Sequence, residues 1–238
     1  MYIQQIQISE FTCNLFLPED YYAGNRTYPV IYVNGDVPIQ EIISEVGKAG
    51  YGADFILLSV QPGEWNDDFT PWSAPAFRKG EKMPAGLADV YICHLIEEIK
   101  SHMDANYRTM PEAEHTALFG YSLGGLTAVY TLYKTDVFGM IGCLSGSLWY
   151  DGFGEFMESN KPFNRNTKVY LSLGKKEKLS RNPRMSKVAE CTEKAKDILT
   201  KQLTQTVCFE WNEGGHFDDI PKRFAKAVVW WTSNRLLD

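Results

Sequence analysis

Ser122 lies in the stretch HTALFGYSLGGLTAVYTLY, with Gly120 two residues before it and Gly124 two residues after it. The run before the serine is apolar and β-prone, and the run after it is rich in small, helix-compatible residues, so the serine marks a strand-to-helix corner. A corner that sharp forces the serine into a strained backbone region where flanking side chains would collide, and glycines on both sides remove the collision. It also lifts the hydroxyl clear of a sheet and sets the Leu123 N–H at a helix start, where it can face a developing oxyanion. Attack of a hydroxyl on a carbonyl is the chemistry this arrangement suits.

A serine hydroxyl is a poor nucleophile without a base, and the chain offers four histidines. His94 and His102 fall inside a helical pattern, and His115 stands at the far end of the serine's own strand. His216, in WNEGGHFDDI, follows the last strand, and a parallel strand ends on the same sheet edge as the corner. The carboxylate that orients such an imidazole comes between serine and histidine, just beyond a strand. Glu177, in VYLSLGKKE, has that address; the alternative reading is a surface charge in a lysine-rich turn, with Glu213 as the reserve acid. A second oxyanion donor is expected from the turn Asn34-Gly35-Asp36-Val37, at the N–H of Asp36 with Val37 as runner-up.

These groups need a frame that brings distant segments to one edge. YIQQIQI alternates polar and apolar positions, and FTCNLFLP follows across Ser9-Glu10, short enough for a hairpin. YPVIYVNGD and ADFILLSV are nearly all apolar, as in strands covered on both faces. HTALFGY, FGMIGCL, TKVYLSLG and QTVCFEW bring the tally to eight strands. Helices are expected over 38–49, along Leu87, Tyr91, Leu95, Ile99 and Met103, over 123–134, 183–203 and 220–235, with a shorter one near 152–158. The alternation implies a mostly parallel sheet with an antiparallel N-terminal edge, helices on both faces, and ligands gathered beyond the carboxyl ends of the strands. No repeat or linker divides the chain, so 1–238 reads as one α/β domain.

Residues 61–85 show little regular pattern, yet Trp65, Phe69, Trp72 and Phe77 argue against disorder. With too few residues between Tyr150 and Thr167 for a separate lid domain, this loop is the expected cover of the site. Trp72 and Trp149 are expected to wall the substrate pocket with Tyr121 and Tyr150 nearby, the alternative being that these aromatics are core. The basic run Lys175, Lys176, Lys178, Arg181 and Arg184 reads as a solvated loop, or else as a selector of anionic substrates.

Composition closes off other classes. The chain of 238 residues is 44% hydrophobic and 23% charged with net charge −6, and it has no long basic run, so a nucleic-acid partner is not expected. No apolar run approaches the roughly 20 residues of a membrane span, and MYIQQIQISE has neither the basic nor the apolar region of a secretory signal. The five cysteines form no C-x-x-C pair, which points away from a metal site and toward reduced thiols in the cytoplasm.

With these residues in view the chain resembles the esterase family of α/β-hydrolases that includes esterase D, feruloyl esterases and enterochelin-esterase-like proteins. The resemblance runs from YPVIYVNGD to the last helix: FGYSLGGLTAVY matches the family's nucleophile corner, LSLGKKE and GGHF its acid and histidine segments, and DDFTPW and LSGSLWY two motifs of the siderophore-esterase-like branch. Three positions depart from the pattern: Asn34 stands for a frequent Asp or His, Gly146 for proline, and Glu177 for Asp. The resemblance implies an α/β-hydrolase fold and hydrolysis of small carboxylic esters through an acyl-enzyme, without metal or cofactor. Acyl transfer on the same fold, and a non-catalytic ligand-binding relative, are the alternatives.

Overall fold

Why distant residues can meet is set by the sheet. The computed structural model describes residues 2–235. Strands β1 (Tyr2–Ile8) and β2 (Phe11–Leu17) form the expected antiparallel hairpin, with Ile8 paired to Phe11 across a two-residue turn in which Ser9 has φ 51°. There follow β3 (Val30–Asn34), α1 (Ile39–Lys48), β4 (Ile56–Val60), the short α2 (Trp65–Asp68), and a long helical stretch made of α3 (Ala88–His94), a π-helical turn (Leu95–Lys100) and α4 (Ser101–Asn106). The remainder alternates: β5 (Thr116–Tyr121), α5 (Leu123–Thr131), β6 (Met140–Leu144), α6 (Phe153–Ser159), β7 (Lys168–Gly174), α7 (Val188–Gln202), β8 (Val207–Asn212) and α8 (Ile220–Arg235).

The eight strands make one sheet in the order β1-β2-β4-β3-β5-β6-β7-β8, antiparallel at β1–β2 and β2–β4 and parallel from β4 to β8. This is the α/β-hydrolase architecture. Every residue of β3, β4, β5 and β6 is buried, because helices cover both faces. On one face Ile39, Ile42, Ile43 and Val46 of α1 pack with Phe224, Ala227, Val228 and Trp231 of α8; on the other lie α3 to α7.

The helical stretch after the loop differs from a plain amphipathic helix. Tyr91, Leu95, Ile99 and Met103 are buried as expected, whereas Leu87, just before the first turn, is exposed. A strict four-residue repeat drifts by about 40° per step around an α-helix. The wider π turn at Leu95–Lys100 absorbs that drift and keeps the stripe on one face. All five cysteines are free thiols; Cys13 and Cys143 are buried and Cys93 is exposed. No helix of the described residues is long and apolar enough to cross a membrane.

Parallel pairing aligns the strand ends. Asn34 lies opposite Gly120, Tyr121 opposite Leu144, and Gly174 opposite Asn212. The segments leaving β3, β5, β6, β7 and β8 therefore emerge along one edge.

Candidate active site

Ser122 connects β5 directly to α5 with φ 56° and ψ −121°, a region that costs a non-glycine residue about 1–3 kcal/mol. The neighbouring backbone holds it there. Its N–H donates to the Leu144 carbonyl at 3.1 Å, and its own carbonyl accepts from the N–H groups of Leu126 (3.1 Å) and Ser147 (2.9 Å). A Cβ on Gly120 would come within 2.1 Å of the Gly124 carbonyl oxygen, and one on Gly124 within 2.7 Å of the Asn34 carbonyl oxygen. The flanking glycines are thus a steric requirement of the corner.

His216 Nε2 lies 3.1 Å from Ser122 Oγ, and its Nδ1 lies 2.8 Å from Glu177 Oε2. The three residues come from the ends of β5, β7 and β8. The Glu177 side chain is 3% exposed and the His216 side chain 31%, so the acid is inside while the ring borders solvent. Glu177 Oε1 accepts from Ser145 Oγ (2.7 Å), the Gly174 N–H (2.7 Å) and Arg223 (2.9 Å). Burial pushes the Glu177 carboxyl up, but hydrogen bonds from His216, Ser145 and the Gly174 N–H, with the field of His216, bring it below its ordinary value. The reserve acid Glu213 is turned to solvent, where it pairs with Lys175, and its backbone carbonyl accepts from Arg223.

The turn after β3 has Gly35 at φ 100°. Asn34 ties it to the serine corner: its amide donates to the Gly124 carbonyl at 3.0 Å and accepts from the Tyr91 hydroxyl at 3.0 Å, with the side chain wholly inside. An amide can do both, as a carboxylate cannot. Asp36 follows, its carboxylate accepting from Asn14 at 2.8 Å.

In front of Ser122 lies a cavity of about 500 Å³. Leu123, Ser147 and His216 line it beside the serine, and its apolar walls include Trp65, Phe77, Trp149 and Phe217. Of the aromatics expected there, Trp149 is in the wall. Trp72 is not: its indole N–H donates to the Asp151 carbonyl at 2.9 Å, and its ring packs among Tyr130, Tyr150, Phe153 and Phe156. Tyr150 stands behind it, donating its hydroxyl to the Trp72 carbonyl. Tyr121 sits beneath the site, its hydroxyl donating to the His216 carbonyl at 2.5 Å. Burial pushes that phenol up to about 12, so it stays a neutral donor.

Trp65, in place of Trp72, joins Trp149 in the cavity wall. Its ring lies so close to the turn that a Cβ on Gly35 would meet it at 2.8 Å. The available signal was position: Trp65 opens the loop after β4, and β4 pairs with β3, whose end carries the turn. Arg184 fastens the same loop from the other side. It donates to the carbonyls of Pro75 (2.9 Å) and Ala76 (3.2 Å), pairs with Asp151, and stacks over Phe77 and Trp149. Its charge is consumed in holding the wall. The described residues contain no His, Cys, Asp and Glu group arranged to hold a metal.

The chain has relatives among known proteins. The family model described as "Putative esterase" matches residues 6–217. The Bacillus subtilis (strain 168) protein named "Uncharacterized protein YbbA" is 23% identical over 225 residues, covering 91% of this chain and 90% of that one. Among solved structures, the IroE-like serine hydrolase of Shewanella oneidensis superposes with a TM-score of 0.78 at 18% identity, covering 95% of this chain and 78% of the other. Siderophore hydrolase EstA of Aspergillus nidulans does so with a TM-score of 0.73 at 15% identity, covering 98% and 94%.

Proposed function

We propose that this chain, which belongs to the Putative esterase family and is a carboxylic ester hydrolase, works through a Ser122–His216–Glu177 triad. The observation that carries the reading is the continuous path from Ser122 Oγ through both nitrogens of His216 to the buried Glu177 carboxylate, at 3.1 and 2.8 Å. In this scheme Ser122 Oγ attacks the ester carbonyl as His216 Nε2 takes its proton. Glu177 accepts the Nδ1–H, holds the tautomer and stabilises the imidazolium. The Leu123 N–H, at the head of α5, and the Asp36 N–H receive the oxyanion; one such donor is worth about 100- to 1000-fold in rate. The imidazolium then protonates the leaving alcohol, and the neutral ring activates the water that releases the acyl group.

The substrate we propose is a small ester with a flat, aromatic portion. Trp65, Phe77, Trp149 and Phe217 around the cavity support this. We place the enzyme in the cytoplasm, a reading that the free thiols support.

A panel of short acyl, aryl, sugar and siderophore esters, run beside Ser122→Ala, tests the reading. Ser122→Ala is expected to lose on the order of 10⁶-fold in kcat. Stoichiometric fluorophosphonate labelling of the wild type, abolished in His216→Ala, is the expected companion result. Near-wild-type turnover by Ser122→Ala would exclude the triad, and an unreactive serine in the wild type would favour a ligand-binding relative.

A further inference from the structure

Arg223, in the first turn of α8, has its side chain 1% exposed. A guanidinium in such a place needs acceptors; its two terminal nitrogens have them, while Nε has none among the described residues. Its acceptors come from four separate segments. One terminal nitrogen donates to the Tyr121 hydroxyl (3.0 Å), Ser145 Oγ (2.7 Å) and Glu177 Oε1 (2.9 Å). The other donates to the carbonyls of Glu213 (3.2 Å) and Gly215 (2.6 Å). Each segment that carries a member of the triad is touched: Tyr121 precedes Ser122, Glu177 is the acid, and Gly215 precedes His216. The backbone of His216 is pinned on both sides, since the Gly215 carbonyl accepts from Arg223 and the His216 carbonyl from Tyr121. Ser145, which bridges Arg223 to Glu177, is itself held at φ 47°.

We infer that Arg223 is the positioning residue of this hydrolase: one buried guanidinium pairs with and orients Glu177 and fixes the backbone seat of His216. The inference rests on the triad reading above. It has two separable parts. The fork, with its two nitrogens, sets geometry. The positive charge against Oε1 weakens the pull of that carboxylate on the imidazolium proton. Removing the charge therefore strengthens that pull. The groups facing the pair are Tyr121 from β5, Cys143 from β6, His216 from the loop after β8 and Arg223 from α8. Burial pushes the Tyr121 phenol and the Cys143 thiol up to about 12, so both are neutral. Lys175 and Lys176 act on Glu213 at the surface, and Asp218 accepts the Gly215 N–H at 2.7 Å.

The test compares wild type, Arg223→Met and Arg223→Lys on a p-nitrophenyl ester, with Ser122→Ala as the blank and thermal melting as a check on folding. Arg223→Met is expected to lower kcat about 100-fold with KM within about twofold, and to move the acid limb of kcat/KM up by about one pH unit. Arg223→Lys keeps the charge and loses the fork, so kcat falls about 10-fold while the limb stays where the wild type has it. A role confined to stability would not separate limb from rate in this way. Wild-type kcat in either folded variant overturns the inference, as does the same limb in Met and Lys. If the Met variant does not fold, Arg223→Lys with a wild-type kcat or a displaced limb overturns it alone. Wild-type protein no more active than Ser122→Ala would defeat the triad reading instead.

Discussion

Asn34 shows how one side chain can decide whether two parts of a site stay in register. Its carbonyl oxygen accepts from Tyr91 and its amide donates to Gly124, so it bridges the helical stretch after the loop, the end of β3 and the first turn of α5. Asn34→Leu keeps the volume and removes both bonds, leaving the Tyr91 hydroxyl buried without its partner. We expect a loss of about 1–3 kcal/mol in urea unfolding. The turn carrying Asp36 also loosens, so kcat should fall with little change in KM. Tyr91→Phe removes one of the two bonds and should show the smaller effect in both measurements. Equal stability of Asn34→Leu and wild type would show that the bridge contributes nothing.

Among the elements, the strands and the corner were legible in the sequence because their patterns are local: an apolar run, a glycine pair, a small-residue helix. The loop over 61–85 was not, because a segment without a period carries no information on which side chains face inward. Trp65 and Trp72 look equivalent as letters, yet one lies against Gly35 and the other among the rings of Tyr130, Tyr150, Phe153 and Phe156. Arg223 was hidden for the opposite reason. In IPKRFAKAVVWW it reads as part of a solvated basic face beside Lys222 and Lys226, and its burial follows from acceptors supplied by four distant segments. Gly146, which stands where the resembling branch carries proline, has a reason three residues away. A Cβ there would come within 2.2 Å of Cys143 Sγ. Gly146→Ala should therefore destabilise by about 1–3 kcal/mol as an overpacked site, and Cys143→Ala in the same chain should restore most of it, a coupling that a double-mutant cycle reads directly. The wall makes a matching prediction. Arg184→Ala releases the loop carbonyls of Pro75 and Ala76, so KM for aryl esters should rise several-fold while kcat on a small acetyl ester stays near wild type. An unchanged KM would show that the loop holds its place without the clamp.

For the molecule as a whole, the cluster around Glu177 links β5, β6, β7, the loop after β8 and α8, so its protonation state bears on global stability as well as on rate. The folded protein holds the Glu177 carboxyl below its ordinary value of 4.5. The unfolded chain therefore takes up the proton more readily than the folded one. The stability owed to this group is complete above the ordinary value and drains away as pH falls through the lower, folded value. Glu177→Gln cannot titrate and leaves Arg223 without its ionised partner, so at neutral pH it should unfold at a lower urea concentration than wild type. Below pH 4.5 the wild type should lose stability faster than the variant, and the gap between their urea midpoints should narrow toward pH 3. Asp67, held below its ordinary value by Lys82 and the Ala85 N–H, titrates in both proteins and cancels from the comparison. A gap that stays constant from pH 7 to pH 3 would mean that the carboxylate's charge contributes nothing to the fold and that the cluster is held by its neutral hydrogen bonds alone.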